Sequence, residues 1–144
     1  MTPAVALIRR APARPARGWW TRCLLPLAGW TALILIVATR PAASLVNARV
    51  TTALGVSREL LQYPYHLGAF FVLAILFVRC FGARGLPSIL LCVLGLVVVS
   101  AASELLQFST PTRTPAARDV LLDLVGAAVG IGAMRLVGQR AAKP

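Results

Sequence analysis

Ionisable side chains are scarce in this chain of 144 residues, and they gather where chemistry would need them. Three of the four acids, Glu104, Asp119 and Asp123, fall within residues 103–130, SELLQFSTPTRTPAARDVLLDLVGAAVG, whose surroundings are strongly apolar. A carboxylate facing lipid tails costs several kcal/mol by most estimates, so acids in such a setting face a partner, a cavity or water. Carboxylates held near one another favour proton sharing, which suits an acid-base or ligand-binding cluster. His66, the single histidine, adds a side chain that can act as general acid or base near neutrality. Arg113 and Arg118 bring planar guanidinium forks that match the oxygens of a phosphate or carboxylate. The competing reading is an internal ion-pair lock between these arginines and the acids. His66, Glu104 and Asp119 are also suitable metal-ligand types, but no close-spaced ligand motif joins them, and no metal or other cofactor is expected. The sequence contains no nucleophile elbow, phosphate loop or cysteine-histidine pair, so an enzyme would rest on this cluster alone.

Helices are the elements that must position these groups. Successive helical residues turn by about 100°, which puts Asp119, Asp123, Gly126 and Gly130 on one stripe. Gly126 and Gly130 form a small-xxx-small pair that admits another helix at close range. Ser100, Glu104 and Gln107 share a face of the preceding segment by the same arithmetic. Two polar stripes thus flank a short loop, 108–118, ordered by Pro111 and Pro115 and carrying Arg113 and Arg118.

Composition sets the class. Hydrophobic residues make up 58% of the chain and charged residues 13%, with mean hydropathy +0.80. Soluble domains carry about 25% charged residues, so the reading is an all-α, polytopic membrane protein. The net charge of +11 does not imply nucleic acid, because the basic residues are spread between apolar runs, where they orient membrane helices. Cys23, Cys80 and Cys92 lie in or beside apolar segments without metal-ligand spacing and read as packing residues.

Residues 1–18, rich in Ala, Pro and Arg, read as a basic disordered tail. Trp19 and Trp20 suit a membrane interface. The membrane domain covers 19–138 and a short basic tail covers 139–144. Four spans are expected at about 23–39, 60–78, 86–103 and 120–134, with Pro64 in the first turn of the second and Asp119 capping the fourth. A polar connection over 41–59 follows the first span. That span is longer than a secretory core, and Arg40 and Pro41 intrude on any cleavage site, so it reads as a retained helix. Ten basic residues flank the end shared by both termini and five the other, which places both termini in the cytoplasm and the acids and His66 under the outer interface.

These residues carry a resemblance. Glu104-x-x-Gln107, then Arg113, then Asp119-Val120-Leu121-Leu122-Asp123-x-x-Gly126-x-x-x-Gly130 resembles the VanZ-like family of bacterial membrane proteins, and His66 is similar to a histidine of that family. The resemblance covers about Tyr63 to Val137. It departs at Asp123, where the family commonly has Asn, creating a need for a proton or an Arg partner. It departs again at Gln62 and Tyr63, where many members have Asp-Lys. It implies a multi-pass protein of the bacterial plasma membrane. The family takes its name from a protein associated with low-level teicoplanin resistance, and its biochemical activity is not established. The expected function is binding of an envelope lipid or amphiphilic envelope-directed compound. Arg113 and Arg118 would meet the anionic part, while Glu104, Gln107, Asp119, Asp123 and His66 would shape the pocket. The alternatives are a membrane enzyme on a lipid-linked substrate, with His66, Glu104 or Asp119 catalytic, and a structural or partner-binding subunit using the glycine stripe. Membrane lipids are the expected partners, and nucleic acid is not.

Overall fold

A computed structural model describes residues 18–39, 49–55, 58–83, 85–108 and 117–141. Among these residues there is no strand. Four long helices account for most of them: α1 (Leu25–Thr39), α2 (Arg58–Phe81), α3 (Leu86–Phe108) and α4 (Ala117–Ala141). All four are long and apolar enough to cross a membrane, α1 together with the turn before it. A short helical stretch occupies 49–54, inside the connection expected to be irregular.

That preceding turn, Trp20–Leu24, is π-helical, and Leu25 N–H reaches back to the Trp20 carbonyl. Pro26 follows at once and has no N–H to donate, so the regular ladder cannot extend back through it and the turn widens. At the other end of the next span, α2 stops at Gly82, whose φ of +79° is a conformation other residues rarely adopt.

Helix ends lie beyond the sequence expectation at several points, with α2 running on to Phe81 and α4 to Ala141, and three of the shifts bear on residues singled out above. Helix α4 starts at Ala117, so Asp119 is not its cap but its third residue, aimed sideways from the first turn. Helix α2 starts at Arg58, so Pro64 lies inside it rather than in its first turn. Helix α3 continues to Phe108, which carries Glu104 and Gln107 on regular backbone. Polar residues, Glu59, Ser103 and Asp119, marked the expected limits, although packing against neighbours carries the helices through them. The tail at 1–17, Arg113 and the rest of 109–116 lie outside the described residues.

Helix α2 is the hub. It packs on the other three spans, most extensively on α4. Phe70, Leu73 and Ala74 of α2 meet Cys92 and Leu96 of α3 and Ala127 and Ile131 of α4 in one apolar core. Cysteine at position 92 is therefore a packing residue, as expected. Gly126 and Gly130 let α4 lie directly on the α2 backbone: a methyl group at Gly126 would run into the Leu67 carbonyl oxygen, and one at Gly130 would stand 2.6 Å from that of Phe71. Helix α1 is pinned more sparsely, by Trp30 Nε1 donating to the Ala69 carbonyl of α2 at 3.0 Å. Leu94, Leu105, Leu121 and Val137 point outward, as side chains that face lipid do.

Candidate functional site

The glycine contact decides what lies one turn further along. With α4 pressed onto α2, the Asp119–Asp123 part of the same stripe is driven against His66, and the three residues are 5%, 0% and 3% exposed in that order. Counting 1.5 Å per residue, His66 is about 12 Å from the start of α2, Asp123 about 9 Å from the start of α4 and Ser100 about 12 Å from the end of α3. They meet at one depth near one end of the bundle.

Asp123 is the centre. His66 Nδ1 lies 2.8 Å from its Oδ1, and Ser100 Oγ donates to its Oδ2 at 2.6 Å. Ser103 Oγ in turn donates to the Ser100 carbonyl at 2.8 Å. With Ser100 donating to one oxygen, the ring N–H of His66 at Nδ1 is the natural donor to the other. A buried carboxylate needs such partners, since an unpaired charge at this depth is strongly disfavoured. The need for a proton or an arginine beside Asp123, expected from its departure from the family pattern, is met by histidine and serine.

The other ring nitrogen points toward Asp119, with Nε2 3.8 Å from Oδ2, too long for a hydrogen bond. Asp119 Oδ1 is shielded from solvent and makes no hydrogen bond among the described residues, although Arg118 Nε stands 3.7 Å away. Arg118 also lies over the Tyr63 ring at 5.9 Å. Glu104 is half-buried on the α3 face that holds Ser100, Gln107 is buried on it, and the fields of Asp123, Asp119 and Glu104 all fall on His66. No group of three or more His, Cys, Asp or Glu residues among the described ones is arranged to hold a metal ion.

The structure therefore brings together His66, Asp119, Asp123 and Arg118 from the sequence-derived set, with Glu104 and Gln107 alongside. Gly126 and Gly130 do the packing expected of them. Ser103 and Tyr63 went unassigned on sequence, and Ser100 was read only as part of a polar stripe. A serine one turn from a glutamate is a common helix pattern, and only the contact with Asp123 on another helix gives it a role. Chemically, the cluster is closed on its Asp123 side, where every polar atom named has a partner. On its Asp119 side it presents an oxygen and a ring nitrogen that can take a proton donor.

A model of the VanZ/LLP1 family matches residues 23–138. The chain belongs to the VanZ/LLP1 family. The match reaches into all four spans, so the VanZ-like pattern is wider than the 63–137 stretch on which the sequence resemblance rested. Within this VanZ-like membrane protein, the histidine and the Asp-x-x-x-Asp-x-x-Gly-x-x-x-Gly run that carried the resemblance are the residues that meet across α2 and α4. No curated protein and no solved structure matches the chain.

Proposed function

We propose that this VanZ-like protein binds an envelope lipid or an amphiphilic envelope-directed compound at the end of the bundle where α2, α3 and α4 bring their polar side chains together. Under the positive-inside rule the more basic end, with both termini, lies in the cytoplasm, so this site faces outward from the plasma membrane. The observation that carries the reading is the cluster's asymmetry: each Asp123 oxygen has a partner, His66 or Ser100, while Asp119 Oδ1 has no hydrogen bond among the described residues and the His66 Nε2 edge faces it without one. Buried polar atoms in native proteins are nearly always satisfied, which makes such an edge a place for an outside group. Arg118, with Arg113 in the adjoining connection, would hold the anionic part of the ligand; Glu104, Gln107 and Asp119 would shape the rest. A link to glycopeptide susceptibility, teicoplanin included, follows only if the ligand is an envelope precursor or the drug itself.

Alanine at Arg113, Arg118 or Glu104 is expected to lower co-purification of the bound lipid by about tenfold, the equivalent of about 1.4 kcal/mol. It should also shift the envelope phenotype of a strain expressing the protein at normal level. Unchanged lipid and unchanged phenotype in well-expressed variants would end this reading.

One feature favours a second reading, a membrane enzyme on a lipid-linked substrate. A histidine whose Nδ1 is held by a carboxylate, itself held by a serine, has its Nε2 oriented for proton transfer. Incubation of the purified protein with polyprenyl phosphates and phospholipids tests it: product that vanishes in His66→Gln supports catalysis, and no turnover with either class rejects it.

A further inference from the structure

Away from the polar cluster, α1 does not close completely against α2 and α3. It leaves a groove of about 670 Å³ on the lateral surface, lined by Trp20, Leu24, Thr31 and Leu35 of the first span, Phe77 of α2 and Val99 of α3. The trough exists because Ala28 and Ala32 are small and leave its floor open. From Trp20 to Leu35 it runs about 22 Å along the helix at 1.5 Å per residue. That is longer than one leaflet's share, about 15 Å, of a hydrocarbon core about 30 Å thick. Water has no place there, and a gap without filling atoms forfeits dispersion contacts along its whole wall. The filler is therefore a hydrocarbon chain.

The charge at the groove's end chooses the headgroup. The groove opens beside Trp20, and Cys23 Sγ, 3.7 Å from the Arg79 carbonyl, sets the first turn of that span level with the end of α2. At this end of the bundle the described residues include Arg22, Arg79, Arg135 and Arg140, with Arg22 and Arg79 exposed. All four acids of the chain belong to the other end: Glu59 to the start of α2, Glu104 to the last turns of α3, Asp119 and Asp123 to the first turns of α4. A basic end without a compensating carboxylate attracts anionic headgroups. We propose that this groove seats one acyl chain of an anionic glycerophospholipid, whose headgroup lies at the arginine-bearing end, as a site separate from the polar cluster.

The test uses the full-length protein in nanodiscs of equal phosphatidylglycerol and phosphatidylcholine, released and weighed by native mass spectrometry. One phosphatidylglycerol per chain is expected to stay bound, several-fold in preference to phosphatidylcholine. Arg22→Gln with Arg79→Gln should bring that preference close to one, and Ala32→Phe, or the milder Ala28→Leu, should remove the bound lipid. Both alanines are exposed, so these groove-filling changes leave the fold intact, which circular dichroism checks. Brominated phosphatidylglycerol should quench tryptophan fluorescence more than brominated phosphatidylcholine, and Trp20→Phe should abolish the difference. Equal retention of both lipids, retention that survives Ala32→Phe, or a lipid-free dimer that Ala32→Phe disperses would each overturn the proposal.

Discussion

Asp123 is the residue on which most depends, because its two oxygens satisfy groups from two other helices: His66 on α2 and Ser100 on α3. Asp123→Leu strands an imidazole N–H and a hydroxyl in the interior. Breaking one side of a buried charged pair costs about 3–5 kcal/mol, so this variant is expected to unfold far more readily in detergent, read as a drop in the thermal midpoint. Asp123→Asn is different. Its carbonyl oxygen still accepts from His66, and its amide donates to a Ser100 hydroxyl that has only to rotate, so the cost is expected to stay near 1 kcal/mol, about that of one ordinary hydrogen bond. Asp119→Asn tests the other edge of the cluster: with no hydrogen bond at Oδ1 to lose among the described residues, it should change stability little while weakening ligand retention. At this scale the sequence shows which residue types are costly in lipid, and so points to His66, Asp119 and Asp123. It does not show which pairs with which, because partners 57 and 23 positions apart are chosen by packing and not by local spacing.

The element that sets this geometry is the stripe of α4, two acids followed by two glycines. Gly126→Ala and Gly130→Ala place a methyl group against the backbone of α2, which cannot retreat as a side chain would. Overpacking of this kind typically costs about 1–3 kcal/mol, occasionally more. Each variant should therefore lose stability and, by lifting α4 off α2, weaken the His66–Asp123 contact one turn away. Gly132→Ala and Gly138→Ala meet nothing and are the controls; they should be neutral or slightly stabilising, since Ala favours helix over Gly by about 1 kcal/mol. The stripe itself was legible, because its 3.6-residue periodicity is local. Helix ends were less so: Asp119 carries the signal of a cap yet lies in the first turn, and Pro64 carries the signal of a first turn yet lies inside α2.

For the whole molecule, the number of spans was legible because a bilayer demands long apolar runs, and composition alone delivers that count. Which span is central was not, since the hub α2 has lower mean hydropathy than α3. Orientation is tested with a C-terminal green fluorescent protein or alkaline phosphatase: fluorescence with no phosphatase activity is expected, and the reverse would turn the polar cluster toward the cytoplasm. The separation of His66 from Asp123 also bears on how the chain is made. Ribosomes deliver α2 and α3 before α4, so His66 enters the bilayer while the carboxylate that will satisfy it has yet to be translated. A nascent chain arrested at 116 should thus insert α2 better when it carries His66→Leu, whereas the same change in the finished protein should destabilise it. The histidine is a burden during synthesis and a clasp afterwards, and α4, made after α2 and α3, is the helix that fastens those two together.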